Sequence, residues 1–367
     1  MTTRPILTED RFYQLLRTTG IPSASGYCFT ADMRDNLEAY VLGHAEHTIT
    51  CFRHDIGRWF RFADAEGVDP MRPQARDVRD FIRRVGEGLH PDSSRRMLSS
   101  ISIFLSRIVC GENVTTAEIV RAEIKQFARI WGRGHGQSAP IRRRGSVVDL
   151  ADEALPFSID RMTQALEPCT HPREVRSRLI LSMGGDTGRR GAEYRAAKMG
   201  HITEEEDGTG LLLIPRSKTD QDGEGIVVML SRRTMRYYHQ WRATLAYHGE
   251  EIGPSTPLLR SIDGHGRLGG PLWQRGFTLA TRSAVRESLR IIDNGAGVIE
   301  FEKIANSVGG HSFRIGMAQD LTAAGESLPS ICNAGGWFDS RMPIRYARHL
   351  APRSGAMWRL NRRLGEE

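Results

Sequence analysis

Apolar residues recur at spacings of three and four through the first third of the chain, the signature of amphipathic helices. In "EHTITCFRHDIGRWFRFADAEG" they fall at Ile49, Phe52, Ile56, Trp59, Phe60 and Ala63, with Gly67 as the stop. "ADMRDNLEAYVLG" precedes it, with Thr30 as a candidate N-cap. "QARDVRDFIRRVGEG" repeats the period at Val78, Phe81, Ile82 and Val85. "DSSRRMLSSISIFLSRIV" is expected to start at a capping Asp or Ser, and "TTAEIVRAEIKQFARIW" at a Thr115–Glu118 capping box or a one-residue shift from it. Five helices without a strand signal predict an all-α bundle over residues 31–131, after an arm of weak periodicity at 1–30.

The pattern breaks at "GRGHGQSAPIRRRGSVVDL", which is rich in Gly, Pro, Ser and Arg and has no period. Residues 132–155 are therefore expected to link two domains, with Arg142 to Arg144 solvated or tracking a polyanion. The second domain, 156–367, opens with helical "SIDRMTQALEP" and "PREVRSRLILSMGGDTG". The β signal lies in Leu211 to Ile214 and Ile226 to Leu230, which flank a polar Gly/Asp turn region. Helices follow at "SRRTMRYYHQWRATLAYHG", "TLATRSAVRESLRIID" and Ser312 to Ala324, and the chain ends in amphipathic "SGAMWRLNRRLGEE". The expected fold is mainly α: a helical bundle followed by an α+β domain with a small sheet.

Composition narrows the function. The 367 residues carry a net charge of +7 and a pI of about 9.4, which suits a polyanionic partner. Of 51 basic residues only Lys125, Lys198, Lys218 and Lys303 are lysine. Arginine forms bidentate forks onto phosphates and guanine edges, although a GC-rich genome would produce the same bias. The five cysteines are scattered without a CxxC, which points to reduced thiols and away from a disulfide frame or zinc site. No apolar run approaches a membrane span and "MTTRPILTED" has no signal-like apolar core, so a cytoplasmic protein is expected.

Six side chains and a supporting carboxylate read as one site. "DTGRRGAEY" places Arg190 three residues before Glu193, with Arg189 competing for the same part. Lys218 follows the strand "LLLIPRSK". "GGHSFRIG" sets His311 and Arg314 on one face at a helix start, where an anion is favoured. Trp337 is a neutral N–H donor after a Gly-Gly stop. Tyr346 sits among Arg341, Arg345 and Arg348. Taken singly each has an ordinary explanation: a surface pair, a solvated lysine, a chance His-x-x-Arg, a core tryptophan. Together they suit attack on a phosphodiester, which places charge on non-bridging oxygens and needs cations, neutral donors, a nucleophile and a proton source.

The order Arg…Lys…His-x-x-Arg…Trp…Tyr resembles the tyrosine recombinases. "TGRRGAE" is similar to the first-arginine box of that family and "LIPRSKT" to its lysine hairpin. The likeness is densest in "GHSFRIGMAQDLTAAGESLPSICNAGGW" and spans roughly Leu37 to Leu364. Trp337 stands where most of the family has histidine, and Arg189 and Gly191 stand where the box is usually apolar.

The resemblance implies that Tyr346 attacks the scissile phosphate to give a 3′-phosphotyrosine and a free 5′-hydroxyl. Arg190 and Arg314 would clamp the phosphate, Lys218 act as general acid, His311 and Trp337 hydrogen-bond the phosphate, and Glu193 support the site. It further implies double-stranded DNA with paired inverted-repeat sites as partner, a homotetramer exchanging strands through a Holliday junction, and no metal, ATP or accessory protein. Met357, Trp358, Leu360 and Leu364 would dock the last helix on a neighbouring subunit or pack on their own domain. Helices around Thr48 to Arg58 and from Asp92 would enter the major groove, making Thr48, Arg53 and Arg96 candidate contacts, with Arg282 a candidate base reader.

Two other classes fit parts of the pattern. One is a type IB topoisomerase-like or telomere-resolving strand transferase. The other is a DNA-binding protein without catalysis. "GHGRLG" formally matches a dinucleotide-binding loop but lacks the preceding strand and acidic partner, and reads as a loop. His44 and His47 lack further ligands nearby, so no metal site is expected.

Overall fold

A computed structural model describes residues 29–86, 89–131, 138–143, 157–215, 225–273, 275–348 and 356–365. The chain divides into two compact units, Met1–Gln137 and Ser138–Glu367. Most of the expected arm and linker, and Lys218, lie outside the described residues.

The described part of the first unit is helical throughout, with helices Ala31–Leu42, Glu46–Glu66, Ala75–Gly86, Pro91–Ile103 and Glu118–Trp131. Thr30 caps the first, its side chain accepting from Met33 N, and Gly67 ends the second in the left-handed conformation. The apolar stripe at threes and fours becomes the core: Ile49, Phe52, Ile56, Trp59 and Phe60 bury against Val78, Phe81, Ile82, Met97 and Ile101. Phe60, Phe81 and Ile82 are fully buried, each contributing about 1.5–3 kcal/mol relative to exposure.

Two expected helix starts are corrected. The fourth helix begins at Pro91, capped by His90 Nδ1 accepting from Asp92 N at 3.1 Å, rather than at an Asp or Ser. Proline fits the first turn because its missing N–H would have no helical partner there. The Thr115–Glu118 box does not form, because Thr115 Oγ1 donates to Asn113 Oδ1 at 2.6 Å and closes a 3-10 turn, Val114–Thr116, before Glu118.

The second unit is built around helix Pro172–Thr187, buried on nearly every side. Helices Ile159–Leu166, Arg232–Tyr247 and Gly276–Asp293 pack on it, as does Ser312–Ala323. An antiparallel sheet forms from β1 (Ile202–Glu204), β2 (Gly210–Ile214) and β3 (Ile226–Leu230), in that order, with Leu212 facing both Ile202 and Val228. A second pair, β4 (Arg260–Ile262) and β5 (Leu268–Pro271), was not expected from the sequence. Its turn is nucleated by Asp263 Oδ1, which accepts from His265 N at 2.8 Å and Arg267 N at 3.0 Å. "GHGRLG" thus runs from this turn into β5. Arg142, expected in a solvated linker, is buried and paired to Asp320 of the second unit, with Arg142 Nε 2.6 Å from Asp320 Oδ1.

Candidate active site

The helix Pro172–Thr187 ends at Gly188, whose φ of 52° lies in the left-handed region that glycine tolerates. The chain then extends through Arg189 and Arg190 into the short helix Gly191–Ala196. Buried Tyr194 locks this turn: its hydroxyl lies 2.7 Å from Thr187 Oγ1 and accepts from Arg189 N at 2.8 Å.

The adjacent arginines do different jobs. Arg189 is buried, and its Nη2 donates to Ala334 O at 3.3 Å, at the C-terminal end of helix Leu328–Gly335, where a cation is favoured. Arg190 Nη1 donates to Glu193 Oε1 at 2.9 Å, while the other oxygen, Oε2, accepts from Arg190 N at 3.2 Å. Glu193 is buried and the Arg190 side chain keeps 19% exposure, so the pair is fixed yet accessible.

Helix Ser312–Ala323 begins with exposed His311 at its N-cap and carries Arg314 one turn on, 1% exposed. Arg314 Nη1 donates to Gly188 O at a long 3.4 Å, and Nη2 is buried without a hydrogen-bond partner. Burial lowers its pKa to about 10, with Arg190 adding to the shift. A buried guanidinium with an unused donor, next to a second cation, suits an anion.

Helix Leu328–Gly335 ends at Gly336, φ 58°, whose turn delivers Trp337. A Cβ at Gly335 would overlap the Trp337 ring. The Arg314 guanidinium carbon lies 4.1 Å from the Trp337 ring centroid, a cation–π contact. Helix Arg341–Ala347 then presents Tyr346, 9% exposed, with ring centroids of Trp337 and Tyr346 6.2 Å apart. Burial raises the Tyr346 pKa, and Arg314, Arg345 and Arg190 oppose the rise. Of the arginines beside Tyr346 in sequence Arg345 contributes here, and the other two cations come from distant segments.

The structure thus brings together Arg190, Glu193, Arg314, Trp337 and Tyr346, with His311 at the head of the Arg314 helix. Of the groove candidates, Thr48 is exposed and Arg53 half-buried on Glu46–Glu66. Arg282 Nε donates to Val308 O at 2.8 Å. Arg96 Nη1 is held 2.8 Å from Asp55 Oδ2, which also accepts from Ser100 Oγ at 2.9 Å. Asp55 is 1% exposed and was missed in the sequence; its signal was an acid set between Phe52 and Ile56 in an otherwise apolar stripe. Among the described residues no group of three or more His, Cys, Asp or Glu side chains is placed to hold a metal, and no helix is long and apolar enough to cross a membrane.

The phage integrase N-terminal SAM-like domain matches residues 39–108. Recombinase cre of Escherichia phage P1 is 26% identical over 218 residues, covering 57% of this chain and 61% of that protein. The match therefore spans less than two thirds of that relative's length. Among solved structures, the Tn1549 transposon integrase in complex with a circular intermediate DNA superposes with a TM-score of 0.58 at 10% identity, over 90% of this chain and 98% of the other. XerH site-specific recombinase bound to palindromic difH substrate gives a TM-score of 0.57 at 13% identity, over 100% and 91%. Those structural likenesses speak for the fold. The chain is thus similar to phage integrases in its SAM-like domain, to Cre recombinase over part of its length, and to site-specific recombinases and integrases in fold.

Proposed function

We propose that this protein is a Cre-like site-specific DNA recombinase whose nucleophile is Tyr346. The Tyr346 oxygen attacks the scissile phosphorus, forming the 3′-phosphotyrosine bond as the bond to the 5′-oxygen breaks. Arg190 and Arg314 neutralise the charge that builds on the non-bridging oxygens, and Trp337 donates its indole N–H. His311 accepts the phenol proton. Lys218 delivers a proton to the leaving 5′-oxygen. Glu193 keeps the Arg190 fork aimed. The free 5′-hydroxyl of a partner strand then reverses the reaction, so bond energy is conserved and no ATP is consumed.

The observation that carries this reading is the buried Arg314 guanidinium, with Nη2 unpartnered and the plane of Trp337 beside it, in the field of Tyr346. Other buried arginines, Arg142 and Arg189 among them, also keep one nitrogen without a partner; Arg314 differs in having Arg190 and Tyr346 beside it, and a buried donor without a partner costs about 1–3 kcal/mol. A bound phosphate would remove that cost.

The reading extends to assembly. Two DNA sites in inverted repeat, four subunits and a Holliday junction follow from resemblance to the family. Met357, Leu360 and Leu364 on helix Ala356–Leu364 are exposed at 67%, 44% and 62%, an apolar face that a neighbouring subunit would cover. Thr48, Arg53, Arg96 and Arg282 are proposed contacts to DNA.

The direct test is to incubate the protein with DNA from its source, denature, digest and search for a nucleotide adduct by mass spectrometry, with a nicked suicide substrate to block religation. An adduct on Tyr346 that disappears in Tyr346→Phe is expected. Tight DNA binding without any adduct would refute catalysis, and relaxation of supercoils without exchange between two sites would indicate a topoisomerase-like activity.

A further inference from the structure

The segment 138–143, at the start of the second unit, lies along helix Ser312–Ala323 as a strap. Ala139 N donates to Ser307 O at 2.9 Å and Ile141 N to Ser312 O at 3.0 Å. A Cβ at Gly316 would overlap the Ile141 carbonyl oxygen, so backbone meets backbone there. Arg142 Nε donates to Asp320 Oδ1 at 2.6 Å, and Arg143 N donates to Asp320 Oδ2 at 2.8 Å. Both carboxylate oxygens are therefore held by the strap. Arg142 O in turn accepts from Ile159 N at 2.8 Å, tying the strap to the first helix of the unit.

Ser312, Gly316 and Asp320 are spaced by four and share one helix face. The adjoining face holds the nucleophile, with Gln319, three residues after Gly316, at the border between the two. Ile315 and Ala318 pack in one small cluster with Tyr346, and Gln319 Nε2 donates to Tyr346 O at 3.1 Å. Arg314 lies against Trp337 on the same side. The helix that carries Arg314 is thus gripped from one face by the strap and grips Tyr346 with another. A rotation or slide of this helix would move Arg314, Trp337 and Tyr346 relative to one another.

We infer that Arg142 is a positioning residue for the cleavage reaction: its pair with Asp320 sets the rotation of the Arg314 helix and so the approach of Tyr346 to the phosphate. The inference rests on the proposed function above. A largely buried ion pair contributes little net stability, because desolvation offsets the attraction. Its direction-dependent hold is what an apolar contact would lack. In chain order the strap also follows directly from the boundary between the two units.

The test uses the full chain with Arg142→Ala, Arg142→Lys and the exchange Arg142→Asp with Asp320→Arg. Hydrogen exchange without DNA reads the positioning itself. Arg142→Ala is expected to raise exchange in 341–347 at least tenfold while peptides from 172–187 keep their wild-type rates. Single-turnover cleavage of a nicked substrate at saturating DNA is expected to fall at least tenfold with DNA affinity unchanged. Arg142→Lys should recover most of the rate. Unchanged exchange in 341–347 would overturn the inference, as would general loosening that includes 172–187. If the wild-type chain forms no Tyr346 adduct, the proposed function fails, while the exchange data still decide whether the strap positions Tyr346.

Discussion

The guanidinium carbon of Arg314 sits 4.1 Å from the centre of the Trp337 ring, so a buried cation is faced by an aromatic plane while its Nη2 keeps no hydrogen-bond partner. The indole orients the guanidinium without using up its donors, which leaves them for a ligand. Arg314→Lys keeps a charge but loses the planar fork. Cleavage by this variant should drop roughly 10²–10³-fold, the usual effect of removing one transition-state donor. DNA affinity measured by gel shift should change by less than tenfold. Trp337→Ala, which removes the plane, should act in the same direction, whereas Trp337→His, which restores an N–H donor, should retain more activity.

Cleavage should depend on pH with a predictable sign. Burial holds the Tyr346 phenol above its ordinary value, so it is protonated at neutral pH and must lose its proton to attack. The single-turnover rate should therefore climb from pH 6 to pH 9. A flat profile over that range would show that deprotonation of Tyr346 does not limit the step.

Asp55 is expected to tune the first unit. Burial raises its pKa, only partly offset by the hydrogen bond from Ser100 and the charges of Arg96 and Arg58. A folded-state pKa above the unfolded value means that folding favours the protonated form, and that stability is lost as pH rises through the unfolded and then the folded value. Asp55→Asn lacks this loss. Its stability relative to wild type should be higher at pH 7 than at pH 3.5, by thermal or urea unfolding. If Arg96 contacts DNA in the orientation Asp55 fixes, the same variant should weaken DNA binding in gel shifts; unchanged affinity would remove Arg96 from the interface.

Gly316→Ala sets two effects against each other. Alanine gains up to about 1 kcal/mol in helix propensity. The added Cβ overlaps the Ile141 carbonyl oxygen, which is backbone and cannot rotate away. Overpacking of this kind costs about 1–3 kcal/mol or more, so the clash should win. The expected result is a Tm lowered by several degrees, with faster hydrogen exchange in 138–143 and 312–323.

The hydrophobic pattern by itself determined the helices of the first unit. Thr30 and Gly67 marked their ends because capping is local, between residues a few positions apart. The β2–β3 pairing was legible for the same reason. The β4–β5 hairpin was not, because its strands are short and weakly alternating, β5 carries two glycines, and the Asp263 turn reads as any loop.

The site was legible as a set of residue types at family spacing, not as a geometry. Tyr346 in a run of arginines suggested that its sequence neighbours supply the charge. Of those neighbours Arg345 does contribute, and folding adds Arg314 and Arg190, from segments more than thirty and more than a hundred and fifty positions away. The spacing to Glu193 favoured Arg190 over Arg189 in sequence, and the Arg190–Glu193 contact within one turn agrees with that reading. What Arg189 does instead depends on tertiary structure, because its guanidinium meets the end of a distant helix at Ala334. Arg142 likewise read as a solvated linker residue until its partner 178 positions on, Asp320, came into contact. Local interactions are encoded within a helical turn and can be read along the chain. Which charges are paired, buried or left open depends on contacts between distant segments, and those exist only once the core has closed.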